Sequence, residues 1–259
     1  IGAIICFLFV LGALIVPGPY KWALLIATAF SITLAWGRNM MWLTELFFNY
    51  FPMYNKFRAV ESILVVAEIT MPLLGILALQ RIIDKKLEWE TLKKNLFIAG
   101  GITGGLSLFF FLFGGVVDVT STYDAQWVNQ VPAWLEDAIL EERISMIKSD
   151  AWRSFIFIAL GFALIYWYAS KSEKAKGKSM DYLLYGTLFI LVRADMIPVN
   201  RRFFGDDHFV KAKDADAFFA LQPYEKQILE DKSLNYRVLN LTTNTFNDAR
   251  TSYRLKSIG

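Results

Sequence analysis

Charged side chains at membrane depth are the residues of this chain whose types and spacing suit chemistry. Glu68 lies near the middle of a long apolar run, where an ionised carboxylate is costly unless it is paired or faces water. On a helix, Arg58, Glu61 and Glu68 share one face, and Lys56 and Arg58 lie at its outer end. We expect this face to bind an anionic, lipid-linked substrate, with the two cations contacting its phosphate. The alternative is that Glu68 is protonated, or bonded to a neighbouring helix, and only stabilises the protein.

A second pair of charges, Arg193 and Asp195, lies at the outer end of the last long apolar run. Arg201 and Arg202 follow, and their long side chains can reach lipid headgroups. Two interpretations remain open for the pair: an anchor at the membrane interface, or a secondary contact for the same substrate.

The sequence motifs of soluble nucleotide-binding and metal-binding proteins are absent. One Cys and one His cannot form a structural zinc site, and no GxxxxGK[ST] phosphate loop occurs. Gly101 and Gly105 lie within an apolar run, where a small-xxx-small pair favours close helix contact. We therefore expect no metal site, no cofactor besides the substrate itself and no nucleic acid partner; dependence on a divalent cation is left open.

Six apolar runs must position these residues. The 259 residues are 55% hydrophobic and 20% charged, which is more apolar than an ordinary soluble domain. A helix needs roughly 20 apolar residues to cross a bilayer. The runs predict membrane spans near residues 1–16, 22–36, 60–79, 96–117, 154–169 and 182–197. Residues 1–199 are thus predicted to form an all-α polytopic membrane bundle of about six transmembrane helices, or five if one short run is re-entrant.

Basic residues between the runs predict the orientation, because cytoplasmic loops are enriched in Lys and Arg. Loops 17–21, 81–94 and 170–181 hold ten basic residues in about thirty positions, whereas loops 37–59 and 118–153 hold six in nearly sixty. The lysine-rich loops are therefore predicted to be cytoplasmic. The N-terminus and residues 200–259 are predicted to be extracytoplasmic.

The outer segments are expected to be structured. Residues 38–58 repeat aromatic and apolar side chains at i, i+4 spacing, which favours a helix lying in the membrane interface. Residues 131–153 predict a short outer helix, with Pro132 as its first residue, that runs into the fifth span. The competing interpretation is that both segments merely cap the bundle.

The last sixty residues, 200–259, have a different composition, with charges spread evenly along them. Pro223 precedes a helical pattern over 224–231, and alternation over 236–241 predicts a strand. We expect the opening of an extracytoplasmic α/β domain. Because the chain starts inside an apolar run without Met, we also expect it to be the C-terminal part of a longer protein.

Three stretches carry a resemblance to a known family. They are residues 47–75, residues 131–154, and residues 195–209 together with 236–259. The most specific elements are PMYNKFR at Pro52–Arg58 and FNDARTSY at Phe246–Tyr253. In these stretches the chain resembles the YfhO-like family of bacterial polytopic membrane proteins, in the version found in Bacteroidetes-type bacteria.

The resemblance implies a function, since that family is similar to the GT-C glycosyltransferases. These enzymes use a polyprenyl-phosphate sugar as donor and act on the outer face of the inner membrane. Membrane lipids and a lipid-linked sugar would then be the partners, and Pro52–Arg58 would belong to the donor-binding side. GT-C enzymes place their catalytic acid in the first outer loop, which would precede this segment, so the catalytic residue is unknown here.

Two other classes of function stay open. A transporter or flippase would explain Glu68 in mid-membrane, although no repeat of one half of the chain in the other is visible. A non-enzymatic subunit of an envelope complex would use the outer domain to bind envelope proteins.

Overall fold

The computed structural model describes residues 1–56, 60–121, 124, 131–171, 177–233, 235–242, 244 and 249–258. The α-helices within these ranges are α1 (Ala3–Ile15), α2 (Pro19–Ala35), α3 (Met41–Tyr50), α4 (Leu64–Ile83), α5 (Trp89–Phe113), α6 (Ala133–Ser170), α7 (Lys178–Phe203), α8 (Ala212–Phe218), α9 (Pro223–Glu230) and α10 (Ala249–Arg254). The chain divides into two compact units, Ile1–Val199 and Asn200–Gly259.

Four helical segments are long and apolar enough to cross a membrane: Glu61–Ile83, Trp89–Val116, Ala133–Ser170 and Lys178–Phe203. The first unit is therefore an all-α membrane bundle, as the sequence predicts. Helices α1 and α2 are also apolar but have only 13 and 17 residues. At about 1.5 Å per residue they reach about 20 and 26 Å, less than the roughly 30 Å of a bilayer core.

Helix α1 lies at the centre of the bundle and is held there by tight contact with α4. Its inward side chains, among them Phe7 and Leu11, are completely buried. A Cβ added at Gly12 would lie 2.6 Å from the carbonyl oxygen of Leu74 on α4. Glycine at this position therefore lets the two helix backbones approach closely, as small residues do in membrane helix pairs.

Hydroxyl groups join α2 to α4. The Thr28 and Thr70 hydroxyl oxygens lie 2.7 Å apart and are both buried. Ser31 donates a hydrogen bond to the Ile63 carbonyl oxygen at 2.6 Å. Such bonds between membrane helices each contribute about 0.6 kcal/mol on average. They fix the packed side of α4 and leave its opposite side exposed.

The outer segments are helical. Helix α3 buries none of its residues, and Trp42, Leu46 and Tyr50 are exposed. The predicted outer helix and the predicted fifth span are one continuous helix of 38 residues, α6. It begins at Ala133, one residue later than expected, and Pro132 precedes it in an extended conformation.

The glycines that pack α5 against α6 are Gly100 and Gly104. A Cβ added at Gly100 would meet the ring of Phe162 at 3.1 Å, and one at Gly104 would meet Phe155 and Ile158 at 3.7 Å. Cβ atoms added at Gly101 and Gly105 would meet no atom within 4 Å. The close contact within this chain therefore uses the pair that lies one residue before the Gly101–Gly105 pair.

The second unit contains α8, α9 and α10. Its predicted helix over 224–231 corresponds to α9, whose N-terminus is closed by Glu225 accepting the Gln222 backbone N–H at 2.7 Å. The segment over 236–241 forms one isolated parallel bridge, between Val238 and Ser257. In the described part of this unit no strand longer than that bridge is present, and the α/β domain remains a prediction.

Candidate functional site

The primary candidate residues lie along the exposed side of α4 and the turns that precede it. Lys56 ends a 3₁₀ turn at Tyr54–Lys56, and Glu61 belongs to another at Val60–Ile63. The side chains of Lys56, Glu61 and Glu68 are all exposed, and none of them makes a hydrogen bond or an ion pair with the residues that the structure describes. Arg58 lies outside the described residues. Seven residues separate Glu61 from Glu68, so these two carboxylates share one face.

The two secondary candidates, Arg193 and Asp195, lie in different environments. Arg193 is exposed on α7 and stacks its guanidinium over the Phe189 ring at 5.7 Å. Asp195, in contrast, has only 1% of its surface exposed. It does not contact headgroups, so the anchor interpretation fits Arg193 alone.

Asp195 connects three helices of the bundle. Its Oδ2 accepts the backbone N–H of Ala3 at 2.6 Å, which satisfies one of the unpaired donors at the start of α1. Its Oδ1 lies 3.8 Å from Nε of Arg153 on α6, an ion pair without a hydrogen bond. Arg153 is also 3.6 Å from Asp150, one turn earlier on α6. The cluster therefore ties α1, α6 and α7 together.

A cavity of about 700 Å³ lies between the C-terminal part of α5 and the first half of α6. Apolar side chains form most of its wall, and charged groups lie at two levels along α6, because Asp150 is about two turns beyond Arg143. The wall includes Leu106, Phe110, Met146 and Ile147, and the charged groups are Asp118, Arg143 and Asp150. The cavity thus combines a mainly apolar wall with an arginine and two carboxylates.

Arg143 is held rigidly in this cavity. Its Nη1 donates to Asp124 Oδ2 at 2.6 Å and to the Val119 carbonyl oxygen at 2.9 Å, and its Nη2 donates to Asp124 Oδ1 at 2.9 Å. A guanidinium has five N–H donors. The N–H of Nε and the second N–H of Nη2 therefore remain without a partner among the described residues. These two donors lie on one edge of the guanidinium and suit bidentate binding of a phosphate.

Asp118 is kept ionised at the cavity rim. The backbone N–H of Thr120 donates to its Oδ1 at 2.9 Å and the Thr120 hydroxyl at 2.7 Å. These two hydrogen bonds, the backbone one first, lower the pKa of the Asp118 carboxyl below its ordinary value. The rim therefore carries a fixed negative charge that can accept hydrogen bonds from hydroxyl groups.

The described ranges contain no group of three or more His, Cys, Asp or Glu residues arranged to hold a metal ion.

The sequence gives little sign of the Arg143 cavity. Arg143 is one of several charges on an outer helix, and Asp124 is a polar residue in an outer loop. The two meet only in the folded chain, where Val119 and Asp124 contact Arg143 on α6. Arg153 and Asp150 had one usable signal, the i, i+3 spacing of opposite charges.

Comparison of the chain with protein-family models, with curated proteins and with solved structures finds no match.

Proposed function

We propose that the chain is part of a YfhO-like membrane protein that transfers a sugar from a polyprenyl-phosphate carrier at the extracytoplasmic face of the bacterial inner membrane. The observation that carries the proposal is an arginine, Arg143, that lines a cavity with a largely apolar wall and has two N–H donors without a partner among the described residues. A lipid phosphate needs a cation with two parallel donors for its oxygens and an apolar surface for its chain. The resemblance described above adds the sugar-transfer chemistry.

In this reaction an acceptor hydroxyl attacks the anomeric carbon of the carried sugar. The bond between that carbon and the phosphate oxygen breaks, its electron pair leaves with the phosphate, and a carboxylate base takes the proton of the attacking hydroxyl. A cation already positioned at the leaving phosphate stabilises the charge that develops there. Arg143 takes this role in the proposal, because Asp124 and Val119 fix it before any ligand binds.

The proposed topology has six spans, with α1 and α2 crossing the membrane as its shortest helices. Two cation–ring pairs on the predicted cytoplasmic side support it. Lys21 Nζ lies 5.2 Å from the Trp22 ring centroid, and Lys171 Nζ lies 5.5 Å from that of Trp167. Lys and Trp are the residues that anchor helix ends at a membrane interface.

Thiol labelling tests this topology in a Cys6→Ala background, since Cys6 is the single native cysteine. A cysteine replacing Lys86 should react only with reagent on the cytoplasmic side. A cysteine replacing Lys213 should react with impermeant reagent from outside. Reversed accessibility would contradict the orientation and place the Arg143 cavity on the wrong face.

Arg143→Lys tests the function directly. Lysine keeps the charge and loses the paired donors, so binding of undecaprenyl phosphate to the full-length protein in nanodiscs should weaken. Hydrogen bonds to charged groups contribute about 1.5–3 kcal/mol, which corresponds to roughly 10- to 150-fold in affinity. Arg38→Lys, at an exposed arginine of the outer surface, is the matched control. Unchanged binding by Arg143→Lys would refute the role of this residue.

The predicted stripe of Lys56, Arg58, Glu61 and Glu68 is proposed as a separate headgroup contact. Glu68 lies on α4, and Lys56 and Glu61 lie in the turns before it, whereas the cavity lies between α5 and α6. Arg58→Lys measured in the same binding assay tests this contact independently. If Arg58→Lys binds undecaprenyl phosphate with the affinity of the parent protein, the stripe does not contact the substrate.

A transporter is the second candidate, and Glu68 favours it, because this exposed carboxylate makes no hydrogen bond or ion pair with a described residue. An ionisable residue on the surface of a spanning helix is the usual mark of an ion pathway. Loss of substrate-linked proton uptake in Glu68→Gln would support transport. Normal uptake by that variant, or sugar transfer without proton uptake, would exclude this candidate.

A further inference from the structure

The end of α4 is closed by its own backbone. The backbone N–H of Lys85 donates to the Ile82 carbonyl oxygen, and that of Lys86 donates to the Arg81 carbonyl oxygen, both at 3.2 Å. Lys85 makes this turn with a φ of 55°, in the left-handed region that is common just after a helix. These carbonyl oxygens, with which a basic side chain often caps a helix end, therefore already have partners.

Arg81, in the last turn of α4, carries a guanidinium that no described residue engages. Its Nε is buried and makes no hydrogen bond. The side chain makes no hydrogen bond or ion pair with any residue that the structure describes. Asp84, the acid that follows it in the chain, is paired with Lys86 at 2.9 Å. Because a buried donor without an acceptor is costly, this guanidinium needs an acceptor from outside the described residues.

The surroundings of Arg81 place it at the border between protein and lipid. Ala78 and Leu74, one and two turns earlier on α4, are completely buried. Leu77 is partly buried, and Leu73 has 42% of its surface exposed. Helix α4 belongs to a segment long and apolar enough to cross a membrane, and Arg81 lies two residues before its end. The guanidinium therefore lies at the depth of lipid headgroups, where phosphate oxygens are available as acceptors.

Other cations share this end of the bundle, which we call the lysine-rich end. Residues 81–94, which run from the last turn of α4 into α5, hold five basic and three acidic residues. Helix α2 begins at the same end, because its hydrogen bonds to α4 run in antiparallel order, and Lys21 lies in its first turn. Each Lys or Arg near an anionic lipid surface strengthens binding about fivefold. The charge of this end thus favours an anionic ligand.

We propose that Arg81 binds the phosphate of an anionic phospholipid at the lysine-rich end, with the acyl chains of that lipid lying along α4 beside Leu77 and Leu73. A guanidinium offers two parallel donors to phosphate oxygens, and the neighbouring cations complement a headgroup of net negative charge. Phosphatidylglycerol has this chemistry. A soluble phosphate would satisfy the guanidinium alone, whereas the exposed apolar side chains beside Arg81 favour a lipid.

This site is separate from the Arg143 cavity. Helix α5 begins at the lysine-rich end, and the cavity adjoins its C-terminal part. The 25 residues of α5 extend about 37 Å at about 1.5 Å per residue. The inference therefore does not rest on the proposed function, and failure of either leaves the other intact.

Arg81→Lys tests the site in a titration of the full-length protein with phosphatidylglycerol, with bound lipid counted by native mass spectrometry. Lysine keeps the charge but loses the paired donors, so the affinity should fall about tenfold. Lys94→Gln, at an exposed lysine of the same end, is the control. It removes a full charge and should weaken binding about fivefold at most. Diffuse attraction by surface charge predicts the reverse order, and unchanged affinity in Arg81→Lys would overturn the proposal.

Two competing probes separate an anionic lipid from other phosphates. Glycerol phosphate carries the phosphate without acyl chains, and an excess of it should not displace bound phosphatidylglycerol. Displacement would overturn the assignment to a lipid. Phosphatidylcholine has the same phosphate and chains with an added cation, and it should bind about fivefold more weakly. Equal affinity for the two lipids would overturn the assignment to an anionic headgroup.

Photolabelling of the parent protein gives a readout that holds even if Arg81→Lys does not fold. Phosphatidylglycerol with a diazirine near its headgroup should label peptides from the end of α4 or the start of α2. Labelling confined to α6 and α7 would overturn the proposal. Labelling of α4 and α2 that is no stronger than the labelling by a matching phosphatidylcholine would overturn it as well.

Discussion

Replacement of Asp195 by alanine should destabilise the bundle more than any change at an exposed acid. This carboxylate is almost completely buried, accepts the Ala3 N–H at 2.6 Å, and lies 3.8 Å from Nε of Arg153. Alanine leaves the first donor of α1 without an acceptor and the Arg153 guanidinium without one of its two neighbouring carboxylates. Both consequences arise where water has little access.

The expected magnitude follows from these two contacts. A hydrogen bond to a charged group contributes about 1.5–3 kcal/mol, and removing one partner of a buried ion pair costs about 3–5 kcal/mol. The Arg153 side chain is 25% exposed and makes no hydrogen bond to Asp195, so the ion-pair loss is at the lower end or below it. We expect about 3 kcal/mol for Asp195→Ala. Asp195→Asn keeps an acceptor for Ala3 and should cost about half as much.

The measurement is the thermal unfolding midpoint in one detergent, where 3 kcal/mol corresponds to a decrease of roughly 6–12 °C. Asp137→Ala, at an exposed acid of α6, is the control and should shift the midpoint little. The double variant Asp195→Ala with Arg153→Met removes both charges and should be more stable than the sum of the single changes predicts. Strict additivity, or an unchanged midpoint in Asp195→Ala, would refute the reasoning.

Two further predictions concern packing and pH. Gly12→Ala should lower the thermal unfolding midpoint, because the added Cβ would collide with the Leu74 carbonyl oxygen, at a cost of about 1–3 kcal/mol. Gly186→Ala on α7 is the control and should not lower the midpoint, because a Cβ there meets no atom within 4 Å. The pKa of the Asp118 carboxyl is lower in the folded protein than its ordinary value of 3.8. The hydrogen bonds from Thr120 to the ionised carboxylate are therefore fully formed above pH 3.8, and they are lost as the pH falls through the lower, folded-state pKa. The Thr120 amide resonance should therefore move only below about pH 4 and stay fixed in Asp118→Asn; movement in both proteins would contradict this.

The sequence predicts the membrane bundle because a span of about 20 apolar residues has few alternatives in water. It predicts the helix ends less well, because helices continue past the hydrocarbon boundary. Helix α6 extends 21 residues before the predicted start of its span at residue 154, through a polar region with strong helix formers.

The burial of Asp195 could not be read from the sequence. Its neighbours Arg193, Arg201 and Arg202 indicate a helix end at a membrane surface. Its actual environment depends on the start of α1, which lies 192 residues away in the chain. A contact of that separation leaves no periodic signal.

The alternation over 236–241 shows that a local sequence pattern alone does not determine whether a strand forms. A strand forms only with a partner, and alternation of side chains does not specify where the partner lies. In the described residues the pattern yields a single bridge, with Val238 accepting from Ile258 and donating to Lys256. The primary candidate stripe also stays a prediction, since the side chains of Lys56, Glu61 and Glu68 make no hydrogen bond or ion pair with a described residue and Arg58 lies outside the described residues.

Native mass spectrometry of the full-length protein, released gently from membranes, tests the central claim most directly. We expect a bound species with the mass of a polyprenyl phosphate or its sugar-loaded form. That species should be present in the parent and in Arg38→Lys, and strongly reduced in Arg143→Lys. A parent protein that carries no such lipid, or an Arg143→Lys variant that carries it at the parent level, would contradict the account.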